Sequence, residues 1–276
     1  TFEPPLRTDI ASLAVRTVIE ILIDQEQCDL VSLGPVTAAH AAITGLADPS
    51  ESGTYRIRCR PVGPLTFFDL SAQPKDYLAT LGGNEQRKRR HDIRYLAQRG
   101  VRETVVAGPV PDVEKEFRAF AGMHTDDWES RGRPGHFRAW PRAFEFHLAL
   151  AERMSALDRL RLLKFEVGEE VLLYDYNYVF GRSYFGELRA RSLDKKWAKI
   201  SLGNCALLSA LVRAVEERVT AFYVGVGHNE YEARLGAKEI PVVFPEATSK
   251  RRTTKARVAV FRTAYSLMET LYFKIW

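Results

Sequence analysis

Residues 159–191 read RLRLLKFEVGEEVLLYDYNYVFGRSYFGELRAR. Three stretches in it, 159–167, 170–180 and 183–191, read as strands, the middle one rich in β-branched and aromatic side chains. They are joined by Gly168-Glu169 and Gly181-Arg182, connections so short that neighbouring strands must run antiparallel. In the middle strand, alternation puts Asp175, Asn177 and Val179 on one face and Tyr174, Tyr176 and Tyr178 on the other. A carboxylate in the middle of a sheet is costly unless it is paired or wet. Glu187, close to Arg189 and Arg191, reads either as a general base in a cleft or as an ion-pair partner.

Working outward, the pattern upstream gives helices over 74–81 and 84–98, with Gly100 placed to end the second, then a strand over 101–107. Long helices follow over 111–131 and 141–154. Downstream of the meander come a helix over 204–218, a strand over 220–224, a short helix over 229–235 and a strand over 239–244. From residue 101 the order is β-α-α-β-β-β-α-β-α-β. An antiparallel meander that feeds one strand–helix–strand crossover must pair the crossover strands in parallel. The fold class expected is therefore α/β, with a mixed central sheet flanked by helices. Where pairing changes from antiparallel to parallel, strands can splay, and ligands favour such a switch point.

The first 65 residues read as β/α material incomplete by itself. Thr8-Asp9 is a candidate helix cap, 29–33 a short strand, 37–46 a short helix, 45–53 a loop and 55–60 an edge strand. The chain holds 276 residues with 40 Lys and Arg against 35 Asp and Glu. The excess is local: residues 81–100 carry six cations against two acids, and 249–276 carry seven against one. The remainder is acidic, which argues against a whole-surface nucleic-acid binder and for local anion sites. Cys28, Cys59 and Cys205 are odd in number and far apart, so a reducing interior is expected and neither a disulfide framework nor zinc. His124, Asp126 and Asp127 lack further ligands at metal-binding spacing, so no metal is expected. No apolar run reaches the length of a bilayer span, and no secretory leader is visible in a chain opening Thr-Phe-Glu-Pro-Pro. A cytoplasmic location is expected, and the numbering is expected to begin inside a longer protein.

Two glycine-bearing knots could carry chemistry. Ser201-Leu202-Gly203-Asn204 precedes the crossover helix and reads either as a plain turn or as a first turn whose amides hold a pyrophosphate. In Tyr223-Val-Gly225-Val-Gly227-His228-Asn-Glu-Tyr231, two glycines follow a strand. There Tyr231 and His228 are candidate proton donors, with a surface loop histidine the alternative for His228. Gly132-Arg-Pro-Gly-His136-Phe137 is a turn-rich loop that Trp128 could wall. The cations of 87–91 read as a solvated helix face. The terminal segment 256–276 is too apolar to stay in water, and is expected to pack on the body, on a second copy in a homodimer, or peripherally at a membrane beside its basic loop.

Several blocks match a known family in order: Arg87-Lys-Arg-Arg before Gly100, Trp128-Glu-Ser-Arg-Gly-Arg-Pro-Gly-His-Phe137, the Ser201-Leu-Gly203 turn, and Gly225-Val-Gly227-His-Asn-Glu-Tyr231 through Arg234-Leu-Gly236. Over residues 68–244 the chain resembles the cellulose-biosynthesis-associated (CelD/BioF2-like) acetyltransferases of the GNAT superfamily, kin of the Fem-type aminoacyl transferases. The resemblance implies two GNAT-like lobes, with 1–65 the trailing part of the first, 66–248 the acyltransferase domain, and 249–276 a basic loop and apolar helix. It implies acetyl-CoA or another acyl-CoA as donor and a small-molecule, amine or sugar-type acceptor, in polysaccharide or cell-envelope synthesis. Ser201, Leu202, Gly203 and Asn204 would then hold the donor's pyrophosphate, with Gly225 and Gly227 lining the cleft. Glu187 or Asp175 would deprotonate the acceptor, Tyr231 would protonate the leaving thiolate, and Trp128, Asn177 and His228 would contact substrate. In the Fem-type alternative the donor is aminoacyl-tRNA and the helix over 87–99 meets its phosphates; otherwise nucleic acid is not expected. A third expectation is a non-catalytic assembly module. Two departures stand out: Glu232 occupies the place where relatives carry Lys, and the 201–203 turn lacks their proline.

Overall fold

The computed structural model describes residues 9–46, 53–72, 76–109 and 112–271. Thr8, Pro49, Pro74, Pro111 and the segment 272–276 lie outside the described residues, and with them the expected cap, loop centre, two helix starts and last helical turn. In chain order the elements are α1 (Ala11–Glu20), continued by one π-helical turn, β1 (Leu30–Ser32), β2 (Val36–Thr37), α2 (Ala38–Ile43), β3 (Tyr55–Asp69), α3 (Gly83–Gln98), β4 (Arg102–Val106), α4 (Val113–Glu129) and α5 (Ala143–Ala156). Then come β5 (Leu160–Val167), β6 (Glu170–Phe180), β7 (Ser183–Arg191), α6 (Leu202–Glu216), β8 (Ala221–Val226), α7 (Glu230–Arg234), β9 (Lys238–Ser249) and α8 (Thr254–Thr270). The chain divides into two compact units, one of 1–66, 226–228 and 239–276, the other of 67–225 and 229–238.

The second unit holds the meander. β4/β5, β5/β6 and β6/β7 pair antiparallel, and β7/β8 pair parallel. The two hairpin glycines adopt the left-handed backbone that their tight turns require, Gly168 at φ +59° and Gly181 at φ +56°. The sheet is mixed, flanked by helices, as the alternation pattern implies. Leu163, Leu173, Tyr184 and Phe222 pack with α6 and Leu96 on one face. Tyr174, Tyr176 and Tyr178 pack with Phe117, Phe120 and Ala151 of α4 and α5 on the other. Both faces are therefore closed, and the polar pair Asp175 and Asn177 is buried on the α6 side at 2 % and 0 % exposure. On α3, one cation leaves the expected solvated face: Arg89 is buried and forms ion pairs at 2.8 Å with Glu85 and 2.9 Å with Asp92.

In the first unit, β9 pairs antiparallel with β1 and β2 over a core of Ile19, Ile23, Val31, Tyr55 and Ile57. The strand expected over 55–60 runs on to Asp69 through Pro61 and Pro64. A proline interrupts pairing only where its N–H would be needed, and the Pro64 carbonyl still accepts from the Gly227 N–H at 2.8 Å. β9 likewise extends past residue 244 to Ser249 because β1 takes its last residues as partner. The helix expected over 74–81 reduces to a 3₁₀ turn over Tyr77–Thr80.

Cys28, Cys59 and Cys205 form no disulfide. In the basic segment after β9, Arg251 donates to the Gln27 and Cys28 carbonyls at 2.6 and 2.7 Å, so one of its cations pins the chain to itself. α8 buries Thr254 and Val258 but leaves Val260, Phe261, Tyr265, Leu267 and Met268 exposed. Among the described residues no helix is long and apolar enough to cross a membrane.

Candidate active site

β7 and β8 are in register over three residue pairs, from Ser183 opposite Ala221 to Phe185 opposite Tyr223, and part beyond them. Two local features accompany the parting. β7 carries a bulge: Tyr176 of β6 faces Leu188, but Asn177 faces Gly186, leaving Glu187 as the extra residue. A bulge interrupts the ladder and re-aims a side chain. Gly186 next to it has no side chain because Phe222 of β8 lies there, and a Cβ would sit 3.1 Å from the Phe222 ring. The fork encloses a cavity of about 160 Å³ between the parted strands and α7, lined by Gly186, Glu187, Arg189, Phe222, Tyr231 and Glu232 among others.

The lining is a chain of polar contacts. The Arg189 Nε donates to the buried Asp175 Oδ1 at 2.6 Å, and the Asn177 amide donates to Asp175 Oδ2 at 3.1 Å. This pairing removes the cost of a mid-sheet carboxylate. Arg189 also interacts electrostatically with Tyr231, whose hydroxyl donates to Glu232 Oε1 at 2.8 Å. Burial pushes the Tyr231 phenol up to about 12, so it stays protonated near neutral pH. Glu187 opens to solvent on the bulge, yet desolvation by its surroundings raises its carboxyl above the usual range.

α6 begins beside this chain. In its first turn the Leu202 N–H is bonded to the Ile200 carbonyl at 3.0 Å, and the Asn204 and Cys205 N–H groups to the Ser201 carbonyl at 3.0 and 3.1 Å. The expected row of open amides is thereby reduced: among the described residues the Gly203 N–H is without an acceptor. A tightened first turn uses its own carbonyls in this way. A Cβ on Gly203 would lie 3.8 Å from Arg189 Nη1, so the open amide and the guanidinium flank one spot.

The structure therefore brings Glu187, Asp175, Asn177 and Tyr231 around one fork, with Gly203 reached through Arg189. Gly225 lies in β8 at φ +114°, a conformation that glycine tolerates. Gly227 and His228 fall in the other unit, where the His228 Nδ1 pairs with Glu239. Trp128 joins a separate cluster, its ring 4.6 Å from that of His136 and 5.7 Å from that of His124. Among the described residues no group of three or more His, Cys, Asp and Glu could hold a metal ion.

Residues 87–233, more than half of the chain, match the family profile of the acetyltransferase (GNAT) domain. The chain belongs to that family. The GNAT assignment makes it an acyltransferase, and the meander, crossover helix and fork lie inside the matched span. Solved structures agree in fold. FemX aligns at TM-score 0.61 and 8 % identity, covering 87 % of this chain and 77 % of that one. L-PGS from Bacillus licheniformis aligns at 0.59 and 14 %, covering 93 % and 79 %. The C-terminal domain of a putative lysylphosphatidylglycerol synthetase from Agrobacterium fabrum aligns at 0.58 and 13 %, covering 96 % and 77 %. No curated protein matches the chain.

Two residues of this GNAT fork escaped the sequence reading as site residues. Arg189 was visible only as a neighbour of Glu187, because the bulge that sets it opposite Asp175 leaves no mark on the alternation. Glu232 was visible as a departure from relatives, but its burial was not, since a five-residue helix has too little periodicity to show which face is inward.

Proposed function

We propose that the protein transfers an acyl group from acyl-CoA to the amino group of a small-molecule or sugar-type acceptor, in the CelD-like branch of the GNAT superfamily and in envelope or polysaccharide synthesis. The fork between β7 and β8 is the observation that carries this reading. The donor fits the residues present: the Gly203 amide without an acceptor and the Arg189 guanidinium next to it suit an anionic carrier. When bound, acyl-CoA supplies an activated thioester. The protein's own part is proton handling. Glu187, with its raised pKa, takes the proton from the acceptor nitrogen as the acyl–nitrogen bond forms and the acyl–sulfur bond breaks. Tyr231, protonated at neutral pH, gives its proton to the leaving sulfur. Asp175 is already engaged by Arg189 and Asn177, and its part is to hold Arg189 in place. No covalent intermediate on the protein is required.

Calorimetric titration of CoA tests the donor site. The wild type is expected to bind, and Gly203→Asp, which sets a carboxylate at the open amide, is expected to lose at least about tenfold in affinity. Equal affinities, or no binding by either protein, would remove the reading.

One observation favours a second reading, Fem-like aminoacyl transfer from charged tRNA. Arg87, Lys88, Arg90 and Arg94 stay exposed on α3 while Arg89 turns inward. Steep salt dependence of tRNA binding, lost on neutralising these four, would select it.

A further inference from the structure

Glu232 is 4 % exposed. Its Oε1 accepts from the Tyr231 hydroxyl, and its buried Oε2 has no hydrogen-bond partner among the described residues. A buried carboxylate oxygen left without a donor is costly, and Glu232 is among the residues that line the cavity of the β7/β8 fork. The charges there are unequal. Asp175, Glu187 and Glu232 contribute three carboxyl groups against the single guanidinium of Arg189, which Asp175 already pairs at 2.6 Å. Such a cavity favours a positively charged group with N–H donors over a neutral hydroxyl.

We propose that the fork cavity is a cation subsite, in which Glu232 binds an ammonium group of the acceptor that is not the group acylated. The assignment of a separate reacting nitrogen rests on the acyl-transfer reading above. An ammonium ion paired with a buried carboxylate is held in its charged form and has no lone pair to attack with. The nitrogen that reacts is a second one, at Glu187, whose raised pKa fits it to take a proton. The acceptor class is therefore a molecule with two basic groups that keeps one as a cation in the product. Glu232 determines specificity in this scheme without taking part in bond making.

The test is direct binding of n-butylammonium, butane-1,4-diammonium and 1-butanol to the full chain, by calorimetry or saturation-transfer NMR, with CoA titrated separately. Both cations are expected to bind and 1-butanol is not. Glu232→Gln is expected to weaken both cations about tenfold or more and leave CoA affinity unchanged. Cation affinity is also expected to stay level from pH 7 to pH 9, whereas binding of the neutral amine would strengthen as its fraction rises about a hundredfold. The proposal is overturned by equal binding to wild type and Glu232→Gln, by 1-butanol matching the cations, or by affinity climbing with pH. If Glu232→Gln fails to fold, the alcohol comparison and pH series in the wild type still decide. CoA binding without cation binding removes the subsite alone. Cation binding that depends on Glu232, in a protein that ignores CoA, supports the subsite and removes the donor reading.

Discussion

Two buried polar clusters share Arg189, and they have been resolved in opposite ways. In the fork, the Arg189 side chain joins Asp175, Tyr231 and Glu232. On the α4 side, the Arg189 carbonyl accepts from the His124 ring Nδ1 at 2.9 Å. That carbonyl can only accept, so His124 carries its proton on Nδ1, and its Nε2 accepts from His136 Nδ1 at 3.1 Å. Both clusters keep buried atoms without a hydrogen-bond partner among the described residues, Asn177 Oδ1 and Glu232 Oε2 in the first and His147 Nδ1 in the second. The histidines are closed over by Phe137, Trp128, Trp140 and Phe146. An imidazole can be buried neutral, and desolvation lowers all three histidines, His124 to about 4. Glu232 differs in lining an open cavity, that of the fork. The histidine cluster is closed over by aromatic rings, whereas the fork keeps a cavity, and that difference is why the proposed site is placed in the fork.

The largest effect that would break this contrast is at Glu187. Glu187→Gln is expected to lower kcat about a thousandfold while leaving the thermal midpoint unchanged, because the side chain opens to solvent. A base must be deprotonated to act, so wild-type kcat/KM should rise with pH along a limb displaced upward from an ordinary carboxylate, and the variant should lose that limb. A loss of stability with intact activity would place Glu187 among structural residues.

The histidine cluster should answer to pH through stability. The unfolded chain takes up a proton at His124 near the ordinary value of 6.5, but the folded chain does so only near about 4. The unfolded state thus binds more protons in that window, and stability falls as pH drops from 6.5 towards 4, by about 3 kcal/mol in all. Urea titrations across that range should show the fall, and His124→Phe should flatten it. A level profile in the wild type would contradict the closed, neutral reading.

Asp175→Asn is the finest discriminator. It leaves Arg189 without its counter-charge, at a cost of about 2 kcal/mol because the guanidinium still reaches water. Denaturation should report that cost, and CoA affinity should fall along with it as Arg189 loses its position beside Gly203. Unchanged CoA affinity would detach Arg189 from the donor site.

Much of the fold was legible because its decisive signals are local. Gly168 and Gly181 mark hairpin turns whatever surrounds them, and the tyrosines of β6 declare their face by alternation. What failed was set by partners distant in sequence: β3 runs through two prolines, and β9 runs to Ser249 because β1 lies opposite. The site divides the same way. Glu187, Tyr231 and the Gly203 turn were readable from residue type and position beside a crossover. Arg189 was not, since its pairing with Asp175 depends on a one-residue bulge, and neither was the internal bonding of the 202 and 204 amides, which only backbone geometry reveals.

The central claim is that the donor binds at the Gly203 amide, at the edge of the fork, and hydrogen exchange with and without CoA tests it most directly. CoA is expected to slow amide exchange at 186–189 and 201–205 and to leave the segment 132–140 beside the histidines unchanged. Protection confined to other segments, or none at 201–205 at a CoA concentration that saturates the protein, would contradict the account.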